Sequence, residues 1–409
     1  MRYGRSFWML VVCDGLLAAG YALSLPFLAI YLTEHRGLPA GLVGLFLSFS
    51  MLTTAVAQAL GGEWSDIKGR KKVMVISLLS RGFLIALMAA VMSVNGHYVL
   101  LILLHVTGGF VGSFFNPAAK GWVADFVPSH KRMRAYGLLR IGINSGWAVG
   151  PALGGFLALK SYPLMFYLTA AAYTVSGLIV LCAVRDSPHK RPGEKLRFKD
   201  MASVLSDRRF AVFCLHTVTI AAVMSQLVVG LSLHCVRYVG LSEREVGLLF
   251  SLNGAVVVAL QYWVSGLLGK ARITAGMALG CLFYFAGYVS IGFAPAFLYV
   301  AAGVFILTLG ETAVSPGMHA LAANMAPSGC KGRFLGVQGV AQQLGASLGI
   351  LIGSNGIQFL SPYWTPAPWC LVGIMAVSAG AGFFSLRKRL TEHEDGIRKE
   401  DTVESKVMA

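Results

Sequence analysis

Side chains able to exchange a proton stand in this chain where water is scarce. Asp14, His105, His216 and Glu311 lie inside long apolar runs, as do the strongly polar Gln226 and the cations Arg81 and Arg140. A charged group at membrane depth costs a few kcal/mol and marks a functional pathway by default. An acid so placed can take up a proton from one side and release it to the other, and a substrate that needs the acid ionised then competes with that proton. Each residue also admits a plainer role. Asp14, about 10 Å into its run at 1.5 Å per residue, admits that of a structural acid near the mouth. Glu311 admits a helix-packing hydrogen bond, and the two histidines admit satisfied polar contacts. Arg81 and Arg140, roughly 10 to 12 Å inside their runs, can snorkel or neutralise an acid, and Arg140 is assigned to Asp14. Glu311 is the expected coupling acid: it stands near mid-depth, is expected to be unpaired, and precedes Ser315-Pro316, where a bend frees a carbonyl and admits water.

The elements that hold these groups follow from composition. Of 409 residues, 56% are hydrophobic and only 13% charged, which excludes an ordinary soluble enzyme. Apolar runs bounded by charge, Pro or Gly place twelve spans at 7–32, 40–62, 73–94, 97–121, 133–158, 162–184, 209–236, 243–268, 272–293, 297–323, 332–358 and 364–386. The first run is too long for a signal-peptide core and contains Asp14, so it is expected to be retained. The net charge of +16 is spread over short gaps rather than gathered on one polar face, which argues against a nucleic-acid partner. Seven cysteines with no C-x-x-C pair fit neither a disulfide framework nor a zinc site, and no metal or cofactor is expected. The chain is read as lacking a zinc-protease helix, a nucleophile elbow and a Walker A loop, hence as no enzyme.

Lys and Arg crowd alternate gaps: Arg2 and Arg5, Lys68 to Lys72, Lys131 to Arg134, Arg185 to Arg209, Lys270 and Arg272, Lys331 and Arg333, and the tail from Arg387. The opposite gaps hold only Arg36, Lys160, Arg237 and Arg244. The positive-inside rule therefore puts both termini in the cytoplasm. The expected organisation is an N-terminal six-helix bundle at 1–184, a cytoplasmic linker at 185–208, a C-terminal six-helix bundle at 209–386 and a disordered cytoplasmic tail at 387–409. The two bundles repeat. A shift of 199 lays Pro117 on Pro316, Pro128 on Pro327, Arg134 on Arg333, Gly146 on Gly345 and Gly150 on Gly349, while a shift of 203 lays Gln58 on Gln261. With six spans each, the copies share one orientation, a parallel repeat with a pseudo-two-fold axis.

Two motifs carry a resemblance. Gly62-Glu63-Trp64-Ser65-Asp66-Ile67-Lys68-Gly69-Arg70-Lys71-Lys72, expected as a tight loop between spans two and three, resembles the loop signature G-x-x-x-D-R-x-G-R-[KR]-[KR] of the major facilitator superfamily, with Ile67 at the usual basic site. In span five, Gly142 to Gly155 resembles the motif G-x-x-x-G-P-x-x-G-G of that superfamily's drug:proton antiporter branch, through Gly146, Gly150, Pro151, Gly154 and Gly155. Small residues there allow close helix approach and are expected to give a sliding contact between the halves.

The resemblance covers nearly the whole chain and implies an all-α membrane protein of twelve transmembrane helices in two six-helix bundles. It implies that spans one, four, seven and ten line a cavity, which would then hold Asp14, His105, His216, Gln226 and Glu311. It also implies a latch of Asp66, Arg70 and Asp125 with Gly62 and Gly69, one-sided because the second-half counterpart at Ser265 to Arg272 is degenerate. One departure is His105-Val106-Thr107-Gly108-Gly109, where the branch often has R-x-x-x-G; a histidine can lose its proton and an arginine cannot. The expected function is proton-coupled export of lipophilic or amphipathic small molecules by a monomer in a bacterial inner membrane. A dedicated carrier of one metabolite, such as a siderophore, sugar or lysolipid, is the alternative on the same fold.

Overall fold

The computed structural model describes residues 4–38, 40–158, 160–187, 203–227, 229–241, 243–268 and 271–397. Among them every regular element is helical. The first half holds α1 (Arg5–Ile30), α2 (Ala40–Lys68), α3 (Arg70–Ser93), α4 (Tyr98–Gly112), α5 (Phe115–Phe126), α6 (Ser129–Ala158) and α7 (Tyr162–Ala183). The second holds α8 (Arg208–Ser225), α9 (Val229–His234), α10 (Glu243–Leu268), α11 (Ile273–Gly292), α12 (Phe297–Met325), α13 (Lys331–Phe359) and α14 (Ala367–Leu386). Ten stretches are long and apolar enough to cross a membrane, with α4 and α5 together forming one and α8 and α9 another. The remaining two expected spans are α2 and α6, helices of 29 and 30 residues.

The contacts divide the chain into two units that do not follow the linker. One comprises residues 1–125, 138–201 and 328–340, the other 126–137, 202–327 and 341–409. Each unit thus takes in the first turns of a helix, α13 or α6, that continues in the other.

Inside the first unit, α6 turns a stripe of glycines to α1. A Cβ on Gly142 would meet the Val11 carbonyl, one on Gly146 the Gly15 carbonyl, and one on Gly154 the Leu23 carbonyl, each inside contact distance. The stripe recurs in the second unit, where Gly345, Gly349 and Gly353 of α13 face Val218, Ala222 and Gln226 on α8. Four-residue spacing keeps the stripe on one helix face, and missing side chains let the backbones close. The glycines expected at a sliding contact between halves are therefore packing surface for the neighbouring span of their own half. The surroundings of Pro151 and Gly155 lie outside the described residues.

Three other expectations change. The motif at 62–72 is helix on both sides of Gly69, whose φ of +97° makes the single turn. Residues 387–397 fold back on the second unit: Asp395 accepts from the Thr274 N–H at 2.9 Å and the Thr274 hydroxyl at 2.8 Å, capping α11. Burial pushes the Asp395 carboxyl up from its ordinary range, against the two Thr274 donors. Finally, Gly345-Ala346-Ser347-Leu348-Gly349 does spell G-x-S-x-G, but in the middle of α13, where Ser347 Oγ donates to the Gln343 carbonyl at 2.9 Å. A nucleophile elbow needs a strand-to-helix turn, so this serine is ordinary helix surface.

Candidate functional site

A cavity of about 370 Å³ opens within the first unit, with Asp14 and Tyr21 from α1, Arg81 from α3, His105 from α4, Trp147 from α6 and Tyr173 from α7 on its walls. Asp14 is buried, and the charge acting on it is Lys120 of α5. The sequence reading assigned that partnership to Arg140, which is half-buried on α6. Lys120 stands at the last residues of an expected span and reads there as an end charge. His105 meets the Phe46 ring edge-on at 5.3 Å and has Arg81 as its neighbouring charge. The Arg81 guanidinium lies over Tyr173 at 4.8 Å and Tyr21 at 5.8 Å.

A second constellation closes one end of the first unit. Arg70, fully buried, pairs with Asp66 and donates from Nε to Asp125 Oδ2 at 3.1 Å and from Nη1 to Ser65 Oγ at 2.6 Å. Asp66 accepts the backbone N–H of Gly332 at 3.1 Å and of Arg333 at 2.8 Å, so it caps the start of α13. Glu63 takes the Arg333 guanidinium in a two-pronged ion pair, and Lys331 Nζ lies 3.2 Å from Asp125 Oδ1. Close approach requires glycine here: a Cβ on Gly62 would strike the Gly332 carbonyl, and one on Gly336 would press Ala59 at 3.0 Å. Sequence reasoning found Asp66, Gly69, Arg70 and Asp125 but not Glu63, Lys331 or Arg333. The signal for Arg333 was its place opposite Arg134 in the repeat.

The second unit repeats part of this arrangement, with an amide where the first has the acid Asp125. Arg132, aligned with Lys331, donates to the Ala323 carbonyl at 3.3 Å and Asn324 Oδ1 at 2.6 Å, while Lys331 donates to the Ala124 carbonyl at 2.8 Å and pairs with Asp125. Asn324 is the counterpart of Asp125 under the 199 shift. Arg134, aligned with Arg333, stacks over Tyr262 at 4.2 Å instead of meeting an acid.

The remaining expected cavity groups are engaged in helix packing. Glu311 is not unpaired: Asn253 Nδ2 donates to its Oε2 at 2.7 Å and to Thr308 Oγ1 at 2.9 Å. The carbonyl that Pro316 frees is that of Thr312, and Gln261 Nε2 donates to it at 2.8 Å, so a neighbouring helix's side chain satisfies it. Gln226 donates to Gly349 O at 2.6 Å and Ala222 O at 2.9 Å, tying α8 to α13. His216 covers Gly382 and meets Phe383 at 5.8 Å, both on α14. No cluster of His, Cys, Asp and Glu among the described residues could hold a metal ion.

Long apolar helices in two units, one of them enclosing a charged aromatic cavity, define a multi-pass membrane protein built to hold a small molecule inside its bundle. The chain belongs to the Major Facilitator Superfamily, whose family model matches residues 10–350 and 220–403, and it is a transporter rather than an enzyme. It is 28% identical over 375 residues to the uncharacterized MFS-type transporter YdeE of Escherichia coli, covering 88% of this chain and 90% of that one. It is 25% identical over 363 residues to the uncharacterized MFS-type transporter YqjV of Bacillus subtilis, covering 85% of each. A shorter match, 29% over 171 residues, covers 42% of this chain and 43% of the quinolone resistance protein NorA of Staphylococcus aureus. Among solved structures, the human organic anion transporter MFSD10 superposes with a TM-score of 0.76 at 18% identity, covering 93% of this chain and 99% of that one. A bacterial homologue of the iron transporter ferroportin, outward-facing, gives 0.76 at 16% identity, covering 94% and 100%. These two likenesses establish the fold.

Proposed function

We propose that this chain is a proton-coupled secondary transporter that exports lipophilic or amphipathic small molecules by alternating access. The observation that carries this reading is the cavity of the first unit, where the buried acid Asp14 shares the walls with Arg81, His105 and the aromatic Tyr21, Trp147 and Tyr173. An acid lining the substrate's own space can be shared between a proton and a bound molecule, and that sharing is what exchange requires. Glu311 accepts from Asn253 within the second unit. Coupling therefore rests with Asp14, and His105 is the next group on the same wall. The partial match to a quinolone resistance protein supports the substrate class.

The Asp66 constellation serves as the gate. The contacts that tie the start of α13 to α2 and α3 must part whenever access changes sides. The basic end of the bundle faces the cytoplasm by the positive-inside rule, with both termini on that side, as for a protein of the bacterial inner membrane working as a monomer.

The test is reconstitution into liposomes with an imposed pH gradient, against charged aromatic dyes, siderophores and sugars. An amphipathic dye should move protons in the native chain and not in Asp14→Asn. Proton movement with a sugar or siderophore alone would instead make this a dedicated carrier.

A further inference from the structure

Arg81 is a charged cavity group that the coupling scheme leaves unused. It lies roughly 16 Å along α3 from Arg70, at 1.5 Å per residue, well away from either end of the span. Among the described residues no carboxylate pairs with it, and its recorded contacts are the faces of Tyr173 at 4.8 Å and Tyr21 at 5.8 Å. Asp14 lines the same cavity, and among the described residues no ion pair joins it to Arg81. Space for the side chain is built in: a Cβ on Gly112 would overlap the Arg81 Cδ and lie 2.7 Å from its Nη1. The side chain thus passes over a glycine, its guanidinium lies against two tyrosine rings, and it lines the cavity as well as a smaller hollow that His105 and Ser24 also line.

A planar fork of this kind binds the oxygens of a carboxylate, sulfonate or phosphate by two parallel hydrogen bonds. Cation–π contact with two tyrosines restrains the guanidinium beforehand, which lowers the ordering cost of binding. Tyr21 meets Trp147 edge-on at 6.0 Å, so an aromatic wall continues from the cation along the same cavity.

We propose that this cavity is a site for amphipathic organic anions, with Arg81 taking the anionic group and Tyr21, Trp147 and Tyr173 taking the apolar body. The assignment rests on the transport reading above and narrows its substrate class. Asp14, the acid on the same cavity, takes one negative charge from it on binding a proton, while Arg81 stays charged and His105 is the other titratable group on the walls.

The test uses two probes with one aromatic body and permanent, opposite charges: naphthalene-2-sulfonate and (naphthalen-2-ylmethyl)trimethylammonium. Their binding to the purified full chain is measured by titration calorimetry. The native chain should prefer the sulfonate by about tenfold or more, since a hydrogen bond to a charged group is worth that factor. Arg81→Gln should lose that preference with ammonium binding unchanged, and Arg81→Lys should keep part of it. Preference for the ammonium, no binding of either probe, or an Arg81→Gln variant that binds the sulfonate as before would each overturn the site. If Arg81→Gln fails to fold, the preference of the native chain decides alone. Uptake driven by a pH gradient, measured separately, keeps the two readings apart. Sulfonate preference without proton movement overturns the coupling and leaves the anion site, whereas proton-coupled movement of cations alone does the reverse.

Discussion

Asp14 and Glu311 are both carboxylates inside apolar helices, yet their neighbours give them different work. Asp14 lines the cavity and is acted on by the charge of Lys120, while Glu311 accepts from Asn253 between α10 and α12. Asp14→Asn is expected to fold, to bind substrate, and to lose transport driven by a pH gradient. Glu311→Gln keeps an acceptor for Asn253, so transport and its pH dependence should persist, with a stability loss of about 1 kcal/mol, the difference between a hydrogen bond to a charged and to a neutral acceptor. Counterflow and pH-driven flux, measured on both variants in the same liposomes, separate the two roles; loss of drive in Glu311→Gln alone would return coupling to α12. The sequence showed which residues are ionisable and at what depth. It could not show partners, because Asn253 is 58 positions from Glu311 and Lys120 is 106 from Asp14 in the numbering, and apolar spans hide which face each turns.

At the scale of elements, helix ends do the holding. Asp66 sits at the end of α2 and caps α13, so its charge meets two free N–H groups and the positive end of a helix dipole. Asp66→Asn should therefore lower turnover more than substrate affinity, since the residue lies outside the cavity lining; loss of binding with turnover per bound substrate intact would count against a gate. Asp125 gives a second comparison. Its removal in Asp125→Ala takes one of two acids from the buried Arg70 and the partner of Lys331, and breaking a buried pair costs about 3 kcal/mol or more. Asp125→Asn instead reproduces what the second unit already uses, Asn324 accepting from Arg132, and should cost distinctly less. Melting temperatures of the two variants in one detergent check this, and equal losses would show that charge rather than an acceptor is required. The loop motif was legible in sequence because glycines and charges have fixed spacing there. That α2 and α3 continue as helices up to Gly69 was not, because Gly62 reads as a turn and acts as a surface for close approach.

At the scale of the molecule, the repeat was legible through glycines and prolines and extends to contacts that no single motif contains. The π turns that end the first span of each half close alike, with the Leu38 N–H on the Leu32 carbonyl at 3.0 Å and the Leu241 N–H on the Cys235 carbonyl at 2.9 Å, related by the 203 shift. What composition cannot encode is which half a helix start will join, since that depends on ion pairs formed across 200 residues and more. Orientation in the bilayer rests on charge alone. Arg5, Lys71, Lys131, Arg208 and Arg387 fall in one set of alternate gaps between spans, and Arg36 and Lys160 in the other. Translocating the basic end would carry many unpaired cations through the membrane, and the cost of each is a few kcal/mol. In a background with the seven native thiols replaced, Glu392→Cys should react with an impermeant maleimide only after the cells are opened, and Val94→Cys, at an exposed site between α3 and α4, should react in intact cells. Labelling in the opposite order would invert the topology, and with it the side on which the Asp66 contacts to α13 stand.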